Sequence, residues 1–512
     1  MGVRLAFLPC CSLEPHRRNW TLFVIQDANG LRFSADDLAR MLVGTGARSG
    51  PLYRQLSESL TELIERGELP QGAALPPERA LAQALTVSRT TVVAAYQALR
   101  EQGLLERRQG SGTRVSADRA RETVSGLAGD HAASQFLNGP LATIDFATAA
   151  LPSLDLVADV AAGLTRDDYL RLTGTHHGYH LRGLPALRER IARWYSDAGM
   201  PTAPEDILIT SGAQQALELV ARGCLQPGDG VVVEQPTYRG ALEAFGRTGN
   251  RLRTVRIDDE GLDVIALEKL LATESPRLVY VQTAAHNPTG VVLSDDRRQR
   301  LTRLLDQHEV VLVDDTSLAG TSFDGRPSAP ALTTHERLVT IGSMSKLFWG
   351  GLRLGWIRAV PQVVSRLAQV RGITDLGSSL VAQEVALRLM DHRDAAEAER
   401  RTALPTGLRT LTELLDRHLP DWTWREPQAG ASLWVRLPQG DATHFAQIAL
   451  RYGVALLPGA VFSADGSTDD HTRLPYSLPT ATMSQGVTRL AQAWTDYLNR
   501  ATVDVTLTSA VT

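Results

Sequence analysis

From about residue 143 to residue 500, apolar runs of strand length alternate with stretches of helical periodicity. Few folds satisfy that alternation. It predicts α/β units on a mostly parallel sheet, in which each helix covers the strand before it. Asp206–Thr210, Val231–Glu234, Leu278–Gln282 and Val310–Val313 are such runs, each followed by turn residues and a helical pattern. At 512 residues with 43% hydrophobic side chains, the chain has room for about three domains or subdomains of roughly 150 residues each. Its 42 glycines, 25 prolines and 21% charged residues are ordinary for a globular protein and exclude collagen-like, coiled-coil and wholly disordered chains.

A different pattern occupies residues 49–116. Pro51 opens a stretch with Leu52, Leu56, Leu60, Leu63 and Ile64 at helical spacing, closed by Gly67, Pro70 and Gly72. A second, short helix is predicted near Pro77, carrying Leu81, Ala82 and Leu85. Ser88 is a good N-cap for a third, with Val92, Ala95, Tyr96 and Leu99 on one face. Two short β-like pieces then flank Gln109–Gly110–Ser111–Gly112, a hairpin or wing. Residues 117–142 are polar and rich in Ala, Ser and Gly, and read as a linker. Residues 1–48 read as a partly disordered arm and 501–512 as a loose tail.

Charge and cysteine narrow the classes. The formal net charge is −4, so nucleic acid could be held only by a local patch. One exists: Arg89, Arg100, Arg107, Arg108 and Arg114 against Glu101 and Glu106 leave +3. Cys10, Cys11 and Cys224 make neither a disulfide framework nor a CxxC zinc site. No metal site is expected, and a reducing cytosol is. No apolar run approaches the roughly 18 residues of a membrane helix. The opening MGVRLAFLPCCS, broken by Pro9, does not read as a signal peptide, and Ala6 argues against myristoylation at Gly2.

Only two lysines occur among the 53 basic residues, Lys269 and Lys346. In so arginine-rich a chain, a lysine kept where a primary amine matters stands out, since arginine cannot form an imine. Lys346 sits in IGSMSKLFWGGLRLGW, with Ser343, Ser345 and Arg353 as hydroxyl and guanidinium donors beside it. Earlier, ITSGAQQAL puts Gly212, Ala213 and Gln214 at the opening of a helix just after a strand, where free N–H groups and the helix dipole favour an anion.

The segment LPPERALAQALTVSRTTVVAAYQALREQGLLERRQGSGT closely resembles the winged helix-turn-helix of GntR-type bacterial regulators. The resemblance implies promoter DNA as a partner. Ser88, Arg89, Thr90 and Thr91 then open the helix that meets base edges. Arg79 begins the helix that crosses the backbone, and Arg107, Arg108, Gln109 and Gly110 lead into the wing. The lysine segment resembles that of fold type I pyridoxal 5'-phosphate (PLP) enzymes, the aminotransferase superfamily. This implies an internal aldimine at Lys346 and a phosphate held by Ser343, Ser345, Arg353 and the Gly212–Gln214 turn. It further implies Tyr238 of EQPTY stacked on the ring, Asn287 of HNPTG on the ring hydroxyl and Asp314 of VVLVDDTS on the ring nitrogen. Tyr179 of GYHLRGLPALRERIA would reach the partner subunit's phosphate, and Arg473 of HTRLPYS would clamp a substrate or effector carboxylate. GVALLPGAVFS (453–463) fits the small part of that fold.

Together these parts resemble the MocR (GabR-like) family of bacterial transcription regulators, and the wording around Lys346 is most similar to the YczR-type subgroup. The expected fold is multidomain. It comprises an α+β winged helix-turn-helix and an α/β PLP-dependent transferase domain over 143–500, with a large part at about 170–370 and a small α/β part at about 371–500. The family implies a cytoplasmic bacterial homodimer, head-to-tail, with an amino compound or PLP itself as effector. One departure stands out: where many relatives have a tyrosine just after the aspartate, this chain has Asp315, Thr316, Ser317 and Leu318. This favours a sensor over a fast transaminase. A working aminotransferase with an accessory DNA-binding module is the alternative, and a large domain that merely dimerises the DNA-binding heads is a third.

Overall fold

The computed structural model describes residues 25–27, 30–43, 52–65, 69, 73–101, 104–108, 112–115 and 143–509, without 175–176, 248, 326–331 and 333–334. The chain divides into two compact units, 1–125 and 126–512. The linker expected at 117–142 lies outside the described residues.

In the first unit, β1 (Ile25–Asp27) and β2 (Gly30–Arg32) form a hairpin, followed by helices α1 (Ala35–Val43), α2 (Leu52–Glu65), α3 (Glu78–Ala84) and α4 (Arg89–Glu101). β3 (Leu105–Arg108) and β4 (Gly112–Val115) pair antiparallel as the wing. α4 starts where expected: the Ser88 hydroxyl accepts from the Thr91 N–H at 3.1 Å. Val92, Ala95, Tyr96 and Leu99 are fully buried, and the Tyr96 hydroxyl donates to the Pro76 carbonyl at 3.0 Å.

The arm expected over 1–48 is corrected by α1. Phe33, Leu38 and Leu42 are buried in one core with Leu60, Leu81, Val92, Tyr96 and Leu99. The Phe33 N–H donates to the Ala74 carbonyl at 3.1 Å. The helix forms because Leu38 and Leu42 stand one turn apart and cover an apolar face that the three later helices leave open.

In the second unit, the short β5 (Ile144–Asp145) comes first. The main sheet uses β6 (Ile207–Thr210), β7 (Gly230–Gln235), β8 (Arg251–Asp258), β9 (Gly261–Leu262), β10 (Leu278–Val281), β11 (Val311–Asp315), β12 (Leu338–Ser343) and β13 (Gly355–Arg358). Their order is β6-β13-β12-β11-β10-β7-β8-β9. The run β12-β11-β10-β7-β8 is parallel, whereas β13 is antiparallel to both neighbours. Helices Ala213–Cys224, Arg239–Gly246 and Pro361–Thr374 cover one face through Leu217, Val220, Phe245, Val364 and Leu367. Helices Val264–Thr273 and Asp295–Gln307 cover the other.

A second sheet, order β14-β15-β18-β17, is built from β14 (Thr423–Trp424), β15 (Ser432–Arg436), β17 (Leu457–Pro458) and β18 (His471–Pro475), while β16 (Val454–Ala455) pairs with β5. Two boundaries differ from expectation. Residues 361–389 pack with the large part, because Val364, Leu367, Val385 and Leu389 are buried in its cores. The small part therefore begins within the helix Arg393–His418, whose Leu404, Leu408, Leu411 and Leu415 join its core. Ile144, Phe146 and Leu151 belong to that same core. The tail expected at 501–512 is helical as far as Ser509, since the last helix runs Thr480–Ser509 with no glycine or proline near its end to stop it.

Leu38→Ala is expected to cost about 3 kcal/mol by leaving a cavity in the first unit. In urea unfolding of the full chain it lowers the transition of that unit and leaves the transition of 126–512 in place. An unchanged first transition would restore the arm.

Candidate functional site

The C-terminal ends of parallel strands share one edge of a sheet, and side chains just beyond them converge there. Lys346 lies in the turn that follows β12, and its Nζ donates to the Ala149 carbonyl at 2.8 Å. Burial, and then the charge of Arg473, bring its pKa down to about 8. Ser343 closes β12 and its hydroxyl accepts from the Ser345 N–H at 3.1 Å. Arg353 has a left-handed backbone, φ +49°, and its guanidinium reaches the start of the helix Ala213–Cys224. A Cβ on Gly212 would lie 3.6 Å from Arg353 Nη2, and Gly212 has φ +112°, so glycine is required there. Gly212, Ala213, Ser343, Ser345 and Arg353 thus come together as a cradle for an anion.

Gln214 does something the sequence did not suggest. Its side-chain oxygen accepts from the Tyr238 hydroxyl at 3.1 Å, and its amide donates to the Gly240 carbonyl at 3.1 Å. It orients Tyr238, which caps the helix Arg239–Gly246.

Asp314, at the end of β11, is fully buried. Its partners are the Thr283 hydroxyl, at 2.8 and 3.0 Å, and the Thr283 N–H at 3.3 Å. With no guanidinium or ammonium bonded to it, burial pushes its pKa up to about 7. Thr316, the nearest hydroxyl in place of the missing tyrosine, donates to the Ile341 carbonyl at 2.7 Å. Ser317 donates to Asp315, so both hydroxyls are already engaged with the chain.

Asn287 is held by Gln282, whose side-chain oxygen accepts from the Asn287 N–H at 3.1 Å and whose amide donates to its carbonyl at 3.3 Å. The Gln282 N–H in turn donates to Glu234 at 3.0 Å. Glu234 faces His286 at 3.6 Å with both side chains buried. Burial raises Glu234 to about 8 and lowers His286 to about 3, so the contact joins a neutral acid to a neutral imidazole rather than an ion pair. Thr283, Gln282, Glu234 and His286 were not singled out from the sequence. Two of them lie inside motifs that were, EQPTY and HNPTG.

Arg473, on β18, is buried and donates to Asn287 Oδ1 at 3.2 Å and to the Ala147 carbonyl. Its guanidinium carbon lies 4.9 Å from the centre of the Phe462 ring, and its Nε has no hydrogen-bond partner. Burial lowers its pKa to about 10. Tyr179 stands apart from this cluster: it is 61% exposed and stacks near His177. PLP fits the residues present. The cradle at Gly212 would accommodate a phosphate, the desolvated Asp314 lacks the cation that a protonated ring nitrogen would supply, and Arg473 keeps an unused donor.

In the first unit, Arg79, Ser88, Arg89 and Thr90 are exposed and Thr91 is half-buried. The Ser88 hydroxyl bonds those of Thr90 and Thr91 at 2.7 and 2.8 Å. Arg114 is buried, which removes it from the surface patch counted above. Gln109, Gly110 and the side chains of Arg107 and Arg108 lie outside the described residues.

Glu234 and Asp314 both have folded pKa values above those of the unfolded chain. These two carboxyls therefore keep extra protons in the folded state between about pH 4 and about pH 8, and their contribution to stability falls as pH rises through that window, by up to about 1.4 kcal/mol per pH unit per carboxyl, against an opposite contribution from His286 below about pH 6.5. Glu234→Gln cannot ionise and is expected to flatten the fall. Urea midpoints of the second unit at pH 5 and pH 8 measure it, and an unchanged slope would exclude Glu234 as the cause.

Residues 52–115 match the gntR family of bacterial regulatory proteins, and residues 150–490 match aminotransferase class I and II. The HTH-type transcriptional regulator YisV of Bacillus subtilis is 30% identical over 83% of this chain and 92% of its own length. The probable rhizopine catabolism regulatory protein MocR of Rhizobium meliloti is 30% identical over 75% of this chain and 82% of its own. Among solved structures, LysN, the α-aminoadipate aminotransferase of Thermus thermophilus, is 29% identical. It covers 72% of this chain and 95% of its own, with a TM-score of 0.65. A GntR-type DNA-binding unit joined to a PLP-type aminotransferase domain, shared over most of the length of such relatives, places this chain in the MocR-like family of transcription regulators.

Proposed function

We propose that the protein binds promoter DNA through its winged helix and senses PLP, or a carboxylate-bearing amino compound together with PLP, at Lys346. The observation that carries this is one cluster holding a primary amine, a desolvated carboxylate and a guanidinium with an unused donor, in a chain that also bears a DNA-binding unit. PLP supplies an aldehyde that condenses reversibly with primary amines and a ring that withdraws electrons.

The chain's own residues do the rest. With a pKa of about 8, Lys346 holds a useful share of free, nucleophilic amine near neutral pH. Arg353, Ser343, Ser345 and the N–H groups at Gly212 and Ala213 hold the phosphate. Tyr238, fixed by Gln214, would stack on the ring, and Asn287, fixed by Gln282, would donate to its hydroxyl. Asp314 would supply the carboxylate facing the ring nitrogen, and Arg473 would bind the carboxylate of an effector.

The exposed Ser88, Arg89, Thr90 and Arg79 face DNA, with Thr91, Arg107, Arg108, Gln109 and Gly110 completing the surface. A head-to-tail homodimer in the bacterial cytoplasm is part of this reading. The exposure of Tyr179 supports its reaching a second subunit, and paired half-sites need paired heads. The intact set Lys346, Asp314, Asn287 and Arg473 favours a second reading, an active aminotransferase, which requires repeated turnover of an amino acid with a 2-oxo acid.

Fluorescence anisotropy with the chain's own upstream DNA, at one stated salt concentration, tests the first reading. Binding is expected to be specific and to change when PLP is added. Lys346→Ala is expected to abolish the visible PLP absorbance band and the borohydride-trappable link to the protein, and with them the PLP effect on DNA binding. A trappable link in that variant would sink the role of Lys346.

A further inference from the structure

Residues 143–150 stand at the start of the second unit's described residues and run past the site. Ile144 and Phe146 donate from their N–H groups to the carbonyls of Gly453 and Ala455, both at 2.9 Å. The Asp145 carboxylate then accepts from the N–H groups of Ala147 and Thr148 at 2.8 and 2.9 Å, which turns the chain. After that turn, the Ala147 carbonyl accepts from Arg473 and the Ala149 carbonyl from Lys346. Two residues apart, one stretch of backbone occupies both Lys346 and Arg473.

We infer that residues 145–150 form a strap that ligand binding releases, carrying the state of the site into the segment that leads to the DNA-binding unit. This deepens the sensor reading and rests on it. When Lys346 Nζ condenses with the PLP aldehyde, a C=N bond forms, the aldehyde oxygen leaves as water and two amine protons leave with it. The donor to the Ala149 carbonyl is then lost. A carboxylate bound to Arg473 competes in the same way with the Ala147 carbonyl. A buried carbonyl stripped of its donor is costly, so the strap gains by turning these carbonyls to water while its Phe146 stays in the core. The cofactor and a carboxylate-bearing ligand thus each undo one anchor.

Hydrogen exchange of the full-length protein reads this through the strap's own amides. With PLP bound, as shown by its visible band, exchange in peptides covering 144–149 is expected to rise about tenfold, the order expected from loss of one charge-assisted hydrogen bond. Phosphopyridoxyl-glycine, which carries a carboxylate, is expected to raise it, and phosphopyridoxyl-methylamine, which does not, to leave it unchanged. Unchanged or slower exchange with PLP bound, or equal effects of the two adducts, overturns the strap while leaving the sensor reading intact. Failure to take up PLP overturns both. Asp145→Ala opens the turn and removes no hydrogen bond of Lys346 or Arg473, although it takes a negative charge away from the neighbourhood of Arg473. It is expected to keep the visible band, to exchange rapidly without ligand and to bind DNA with no response to PLP. A full PLP response of DNA binding in that variant also overturns the inference.

Discussion

The whole site depends on a parallel register. Because β7, β10, β11 and β12 run the same way, Tyr238, Gln282, Asp314 and Lys346 all leave the sheet at one edge. That edge is covered in part by the small part of the domain: Asp314 and Glu234 are fully buried there while Arg353 stays exposed, and exclusion of water from the buried groups sets the chemistry. It takes protons off Lys346 and puts them on Asp314 and Glu234, so groups usually charged at neutral pH stand close to their switching points.

Dryness also explains why so much of the neighbourhood is devoted to holding polar atoms. Gln282 spends its N–H and its side-chain amide and carbonyl on Glu234, Thr237 and Asn287. Asp314 relies on a single threonine. Arg473 and Lys346 turn to backbone carbonyls from residues 147 and 149. Under the proposed reading the contacts of Lys346 and Arg473 are the ones a ligand exchanges, whereas those of Gln282 stay in place and hold Asn287.

Much of this was legible in the sequence. The alternating runs located four strands of the main sheet, and Ser88, Val92 and Tyr96 located the helix Arg89–Glu101. The scarcity of lysine pointed at Lys346. The helix Ala35–Val43 was not legible, because nine residues with two buried leucines are too short a pattern to stand out from an arm until the core they cap is present. Arg114 read as surface charge for the same reason: its side chain is buried by contacts that no local pattern shows.

The sequence by itself determined the two kinds of unit, their order and the candidate amine, Lys346, because periodicity and residue chemistry are local properties. Only the tertiary structure decided where the small part begins, that Gln214 serves Tyr238, that Thr316 is already engaged, and that residues 144–151 belong to a core some 300 residues away. Those outcomes depend on which polar atoms meet once water is excluded, and that is set by long-range packing rather than by neighbours in the chain.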